Sequence, residues 1–333
     1  MSDTEESSIP NEITKHDNVK SGLENVIEEN FYMQHYDDWV KNFALNLNDI
    51  WNESSVKVLS QNQSKQSAIV IGAGPSLQKN SHLEKLSNSN YQGSIICTDR
   101  SLIPALKAGI TPDKFSKFYV VTIDPSIILK KFYDDDIVNE YGTKINGLFS
   151  TVIHPHVVKR ARDSGIKIHW MHALFDYHEG KKSFNQISAL ITRAKNHENG
   201  LPAIQTGGNV GTSSWFLGWN ILNCKTITLI GINHGWEDTD SWETIMTHNG
   251  MCKMVEMDKN SESFKKLFPR IYNPDFDCYC ILDPIFQYYS AGLKEFIFRS
   301  PEEIETINAT EGGCIFGDRI KSMKLEKFLT KFD

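Results

Sequence analysis

The chain has 333 residues, 40% of them hydrophobic and 23% charged, which suffices for one large domain with additions or for two ordinary domains. A formal net charge of −7 excludes general nucleic-acid binding, which needs a surplus of Lys and Arg, and leaves room only for a local basic pocket. No apolar run approaches the ~20 residues that span a bilayer and the polar, acidic start is unlike a signal peptide, so the expectation is a cytoplasmic protein with no membrane span.

Residues 1–18 carry too little apolar surface to offset the entropy of ordering and read as a disordered tail. Residues 19–60 read as an N-terminal helical extension. Within it Phe31, Trp39, Phe43, Leu47 and Trp51 recur mostly every four residues, along one face of a helix or helix pair. That face either packs on the following domain or joins two copies as a homo-oligomer. The polar stretch Ser60–Ser67 reads as a linker, and residues 66–325 read as the main domain.

Short apolar, β-branched runs open that domain. Ala68–Ile71, Ser94–Thr98, Phe118–Ile123, Gly147–Ile153, Ile166–Trp170 and Ile227–Ile230 predict strands. Leu83–Leu86, Leu102–Ala108, Val157–Ser164, Ser183–Lys195 and Gly211–Leu222 predict helices between them. Continuous apolar strands alternating with helices imply a parallel sheet covered on both faces. The predicted fold is therefore α/β: a doubly wound, mostly parallel Rossmann-like sheet, with a C-terminal helical and loop segment.

Five groups at predicted strand ends carry polar chemistry. In Gly72-Ala73-Gly74-Pro75-Ser76-Leu77, glycines at a strand-to-helix turn let a ligand approach the backbone, with amides pointing at phosphate and Ser76 adding a hydroxyl. A merely structural turn would use the same glycines. After the second strand, Asp99 suits ribose hydroxyls and Arg100 a phosphate, though Asp99 or Ser101 equally suits capping the next helix. Asp124, before Pro125 and Ser126, suits a nucleotide hydroxyl, a substrate amine, a metal or a helix cap; one carboxylate is too few to specify a metal.

The fourth group is Gly207-Gly208-Asn209 with Thr212 and Ser213. Glycines, hydroxyls and a helix N-terminus coincide there, as in a second anion- or substrate-binding turn, or as in close helix packing. The fifth is Asn233-His234, with His248 shortly after; either histidine suits the role of a base near neutral pH, against the default of an ordinary loop histidine. His154-Pro155-His156 and His169-Trp170-Met171-His172 lack further ligands for a metal site and read as loop and packing residues. The acidic run Asp134–Asp136 reads as a solvated turn. The six cysteines are scattered as reduced, structural thiols would be.

Jointly, IGAGPSL (71–77), CTDRSL (97–102), GITPD (109–113), VTIDPS (121–126), TGGNVGTSS (206–214), LIGINHGW (229–236), DPIFQYYSAGLKEFI (283–297) and INATEGGCIFGD (307–318) resemble the 6-hydroxymethylpterin diphosphokinase MptE-like family. Asn308–Gly313 resembles its motility accessory factor (Maf) glycosyltransferase branch. The resemblance implies a transferase. The favoured activity moves a nonulosonic, sialic-acid-like sugar from a CMP-activated donor to an acceptor hydroxyl, with no tightly bound cofactor. Gly72–Leu77 would hold phosphate, Asp99 and Asp124 would contact nucleotide or sugar, Thr212 and Ser213 would line the donor pocket, and His248 or His234 would be the base. Glu311 would orient the acceptor or close the domain. Asn233 stands where that branch leads one to expect Asp. The alternatives are an ATP-dependent pterin diphosphokinase, which alone would need Mg2+, and a non-catalytic nucleotide-binding module. At the positions of the kinase branch's carboxylate elements this chain has Asp124-Pro125-Ser126 and His154-Pro155-His156-Val157.

Overall fold

A computed structural model describes residues 35–60, 66–175, 183–194, 201–241, 262–282 and 284–332. Contacts divide the chain into two units, Met1–Tyr36 and Asp37–Asp333. Of the first, only residues 35–36 are described, and both are helical. The expected tail, residues 1–18, lies outside the described residues.

In the second unit, strands β1 (Gln66–Ile71), β2 (Ser94–Thr98), β3 (Phe118–Thr122), β4 (Asn146–Ser150), β5 (Lys167–Leu174), β6 (Ala203–Gln205) and β7 (Cys224–Ile230) form one sheet with two strands from the C-terminal part. These are β11 (Glu305–Asn308) and β12 (Ile320–Ser322). Nine strands run in the order β12-β11-β7-β1-β2-β3-β4-β5-β6, and every pairing is parallel. β1, β2 and β3 are buried along their whole length. That matches their uninterrupted apolar sequence, since a parallel strand covered on both faces has no solvent side to alternate with. Starting from β1 the chain winds outward through β2 to β6, then returns to place β7 on the opposite side of β1. This is a doubly wound, Rossmann-like fold, with its topological switch point between β1 and β7.

Helices α1 (residues 35–52), α2 (Ser76–Lys79), α3 (His82–Ser87), α4 (Asp99–Lys107), α5 (Asp136–Tyr141), α6 (Pro155–Asp163), α7 (Phe184–Arg193) and α8 (Val210–Asn220) flank the sheet. From Asp37 onward α1 belongs to the body of the domain. Asn42 Nδ2 donates to the carbonyls of Pro125 and Val152, Asn46 Nδ2 donates to those of Thr151 and Ile153, and Trp39 stacks on Phe175 at 4.8 Å. The expected linker is shorter than its sequence suggested, because Gln66 and Ser67 already pair with β7.

α8 is buried along most of its length. Its Ser213 and Ser214 hydroxyls satisfy themselves on the carbonyls of Asn209 and Val210 one turn back. A second sheet, absent from the sequence reading, is a small antiparallel ribbon of β8 (Trp236–Glu237), β10 (Cys278–Ile281) and β9 (Arg270–Asn273). Further helices cover Glu262–Leu267, Pro284–Arg299 and Leu325–Phe332.

Candidate functional site

Ligands of open α/β sheets bind outside the carboxyl ends of the strands, where the winding reverses. Here that point brings the turn after β1 against the loop after β7. The two backbones approach so closely that a Cβ on Gly72 or Gly74 would collide with the Gly231 carbonyl, and one on Gly74 also with Asn233 Oδ1. The amides follow suit: Gly72 N donates to the Ile230 carbonyl (2.8 Å), Gly74 N to that of Gly231 (2.7 Å) and Leu77 N to that of Gly74 (3.2 Å). Pro75 has no amide hydrogen. The buried Ser76 hydroxyl donates to Asn233 Oδ1 at 2.9 Å. In the expected phosphate cradle, glycine thus serves strand-to-loop packing, and the Gly72, Gly74 and Leu77 amides and the Ser76 hydroxyl are engaged within the protein.

The carboxyl ends of β2 and β3 lie next in the sheet. Asp99 begins α4 rather than preceding it, is buried, and accepts a hydrogen bond from the Arg100 amide at 2.7 Å. Burial pushes its carboxyl up to about 7, and nearby Asp124 adds to the rise. Asp124 is exposed and accepts from the Ser126 amide at 2.8 Å. Arg100 is exposed beside them. A buried carboxyl that titrates near neutrality at a strand's carboxyl end is a recognised mark of a functional position.

The second glycine turn is also turned inward. Asn209 caps α8, accepting from Thr212 N and donating to Thr212 Oγ1, both at 2.9 Å. Ser213 donates to the carbonyls of Thr206 and Asn209. Thr212 and Ser213, expected at a donor pocket, are wholly buried. Gly207 (φ +58) and Gly208 (φ +80) lie under the Pro284–Arg299 helix, where a Cβ on Gly208 would press on the Tyr288 and Tyr289 rings. Close helix packing accounts for both glycines.

The loop after β7 is the part that departs from ordinary packing. Gly231 (φ +66) and His234 (φ +47) both adopt left-handed backbone, a conformation that is uncommon for histidine. His234 is 4% exposed, and neither ring nitrogen has a hydrogen-bond partner. Its ring lies 6.5 Å from Phe286 and 6.2 Å from Tyr289, centroid to centroid. Burial, with the positive charge of Lys294, pushes the imidazole down to about 3. Among the described residues no carboxylate bonds to it. A catalytic base works best with a value near the working pH, which burial of His234 does not favour; His248 lies outside the described residues.

Glu311 closes the domain. Its Oε1 accepts from Leu325 N at 3.1 Å and faces His82 Nε2 at 3.4 Å, tying the last helix to α3. The paired histidines have structural partners too: His154 caps α6, His169 meets Asn146 and His172 meets Thr151 and Asn185. Asp134 and Asp135 form ion pairs with Arg160 and Lys107, so that acidic run is engaged rather than merely solvated. Sequence reasoning passed over Lys79, which pairs with Glu237 beside the β1 turn, and Lys294. Neither lies in a glycine turn or at a strand end, the only signals sequence offered.

Comparison with known proteins agrees with this fold. The sequence profile of the 6-hydroxymethylpterin diphosphokinase MptE-like family matches residues 41–239. The chain is also similar to the solved structure of a MAf glycosyltransferase from Magnetospirillum magneticum AMB-1, at 15% identity and a TM-score of 0.53. That match covers 86% of this chain and 38% of the other, so this chain spans well under half of that protein. Comparison with curated proteins gives no significant match.

Proposed function

The chain belongs to the 6-hydroxymethylpterin diphosphokinase MptE-like family, and on that premise we propose that it is a glycosyltransferase moving a nonulosonic sugar from a CMP-linked donor to an acceptor hydroxyl. The observation that carries the reading is the convergence at one sheet edge: the β1 and β7 turns meet at the switch point, with Asp99 and Asp124 at the neighbouring strand ends. The fold likeness to a MAf glycosyltransferase supports it.

In the proposed reaction the acceptor oxygen bonds to the anomeric carbon as the bond from that carbon to the phosphate oxygen breaks. CMP departs with the electron pair, and the acceptor's proton passes to a base. His234 is too weak a base for that step, so we assign it to His248. Asp99 and Asp124 accept hydrogen bonds from nucleotide or sugar hydroxyls. Departure of a nucleoside monophosphate calls for positioned donors at the developing charge.

The family description also raises a diphosphokinase, for which the resemblance implies ATP and magnesium. The strand-end groups fit that centre poorly. Asp99 gives one oxygen to the Arg100 amide, Asp124 gives one to the Ser126 amide, and His154 is occupied as a cap. Calorimetric titration with CMP, ATP and AMP, each with and without magnesium, tests the proposal. We expect CMP to bind without metal. Magnesium-dependent ATP binding with AMP release in the presence of a pterin alcohol overturns it, and metal-independent binding with no turnover, the same in His248→Ala, reduces the protein to a binding module.

A further inference from the structure

The turns that were expected to receive an anion have spent most of their donors on the protein itself. Groups with donors to spare sit on the β7 loop and on the Pro284–Arg299 helix. His234 is buried with both ring nitrogens unpartnered, which is rare because a buried polar atom ordinarily finds a partner in the protein. Its left-handed backbone is a further cost that the surrounding fold maintains.

Lys294 is the charged group whose field reaches that imidazole. Its ammonium lies 5.1 Å from the centre of the Phe316 ring, and among the described residues no carboxylate pairs with it. Partial burial pulls its pKa below the usual lysine value, with Cys314 opposing. Phe286 and Tyr289 flank the imidazole. An unneutralised ammonium, an unpartnered imidazole that is neutral and so offers an N–H donor, and an apolar flank together describe a place built for negative charge.

We propose that His234 and Lys294 form an anion subsite beyond the carboxyl end of β7, which takes an anionic oxygen group of the donor, either its phosphate or the carboxylate of its sugar. The subsite rests on the nucleotide-donor reading above, and recasts His234 from proton acceptor to ligand-holding residue.

The test compares calorimetric affinities of the full chain for cytidine, CMP and CMP-N-acetylneuraminate, in the native protein and in Lys294→Met and His234→Asn. Asparagine tolerates the left-handed backbone, and Lys294 is on the surface, so both variants are expected to fold; melting curves check this. We expect each variant to lose at least tenfold of one increment while cytidine binding stays the same. Loss of the gain from cytidine to CMP assigns the subsite to phosphate, and loss of the gain from CMP to the acidic sugar nucleotide assigns it to carboxylate. Both increments surviving in Lys294→Met overturns the subsite, as does a native protein that binds cytidine but shows neither increment. If the native chain binds none of the three ligands, the nucleotide-donor reading falls on its own. The subsite is then decided with inorganic pyrophosphate followed through the 15N resonances of the His234 ring. A saturable shift that weakens tenfold in Lys294→Met sustains it, and an unmoved ring overturns it.

Discussion

Burial at the end of β2 makes Asp99 carry a proton into the neutral range, because the charged form loses its water and regains only the Arg100 amide in exchange. The folded state then holds a proton between the ordinary carboxylate value of 3.8 and about 7, where the unfolded chain has released it. With fewer protons bound by the unfolded state, stability falls as pH rises through that window, by at most ~1.4 kcal/mol per pH unit. Asp99→Asn keeps the shape and the amide acceptor but has no charge to bury. It should therefore raise the melting temperature at pH 8 clearly more than at pH 5. Equal gains at the two pH values would show that the carboxyl is not the titrating group. The same residue scale explains where sequence misled. Gly72 and Gly74 signal that something comes close to the backbone, and a phosphate oxygen and a strand's carbonyl oxygen make identical demands. Only the β7 register shows that the Ile230 and Gly231 carbonyls are what arrives. Lys294 left no signal, since a lysine on an amphipathic helix is ordinary until its neighbours are known.

At the scale of elements, each strand from β1 to β5 and β7 was legible, because strands buried on both faces must be continuously apolar, and Val-Ile-rich runs ending in Gly, Asp or Pro mark their ends. The ribbon β8-β10-β9 was not. Its strands have two to four residues and half-exposed sequences such as Cys-Tyr-Cys-Ile, too short for a period to show. β6, β11 and β12 are equally short, with three or four residues each. Helix α1 was legible as a helix, with packing on the domain as one of two expectations for its apolar face; Trp39 and Phe43 are buried against Phe175 and Phe184, and Asn42 and Asn46 add hydrogen bonds that the apolar stripe did not announce. Asn46→Ala strands the carbonyls of Thr151 and Ile153, to which its amide donates at 3.2 and 2.7 Å. Leaving a buried acceptor unpaired costs ~1–3 kcal/mol. Urea unfolding should show a loss of that size for Asn46→Ala, against under ~0.5 kcal/mol for Leu45→Ala at the neighbouring position, which is 62% exposed. Similar losses for the two would mean that α1 is not anchored through Asn46.

For the whole molecule, one winding reversal sets both where stability concentrates and where a ligand is received. β1 and β2 lie mid-sheet and are buried throughout, β7 is buried over its last four residues, and edge strands β6 and β12 have three residues each with exposed positions among them. Amide exchange measures the free energy of local opening, so β1, β2 and β7 should exchange slowest and β6 and β12 fastest. A ligand seated at the switch point changes this pattern in a defined way. The ends of β1 and β7 are already bonded to each other through Gly72 and Gly74, so their amides start protected and have little further to gain. His234 and Gly235, in the same loop but not bonded to β1 in this manner, have the larger margin. Adding CMP should therefore slow exchange most in the β7 loop. Protection appearing instead around β4 and β5, remote from the reversal, would place the ligand elsewhere and detach the winding of the sheet from the chemistry assigned to it.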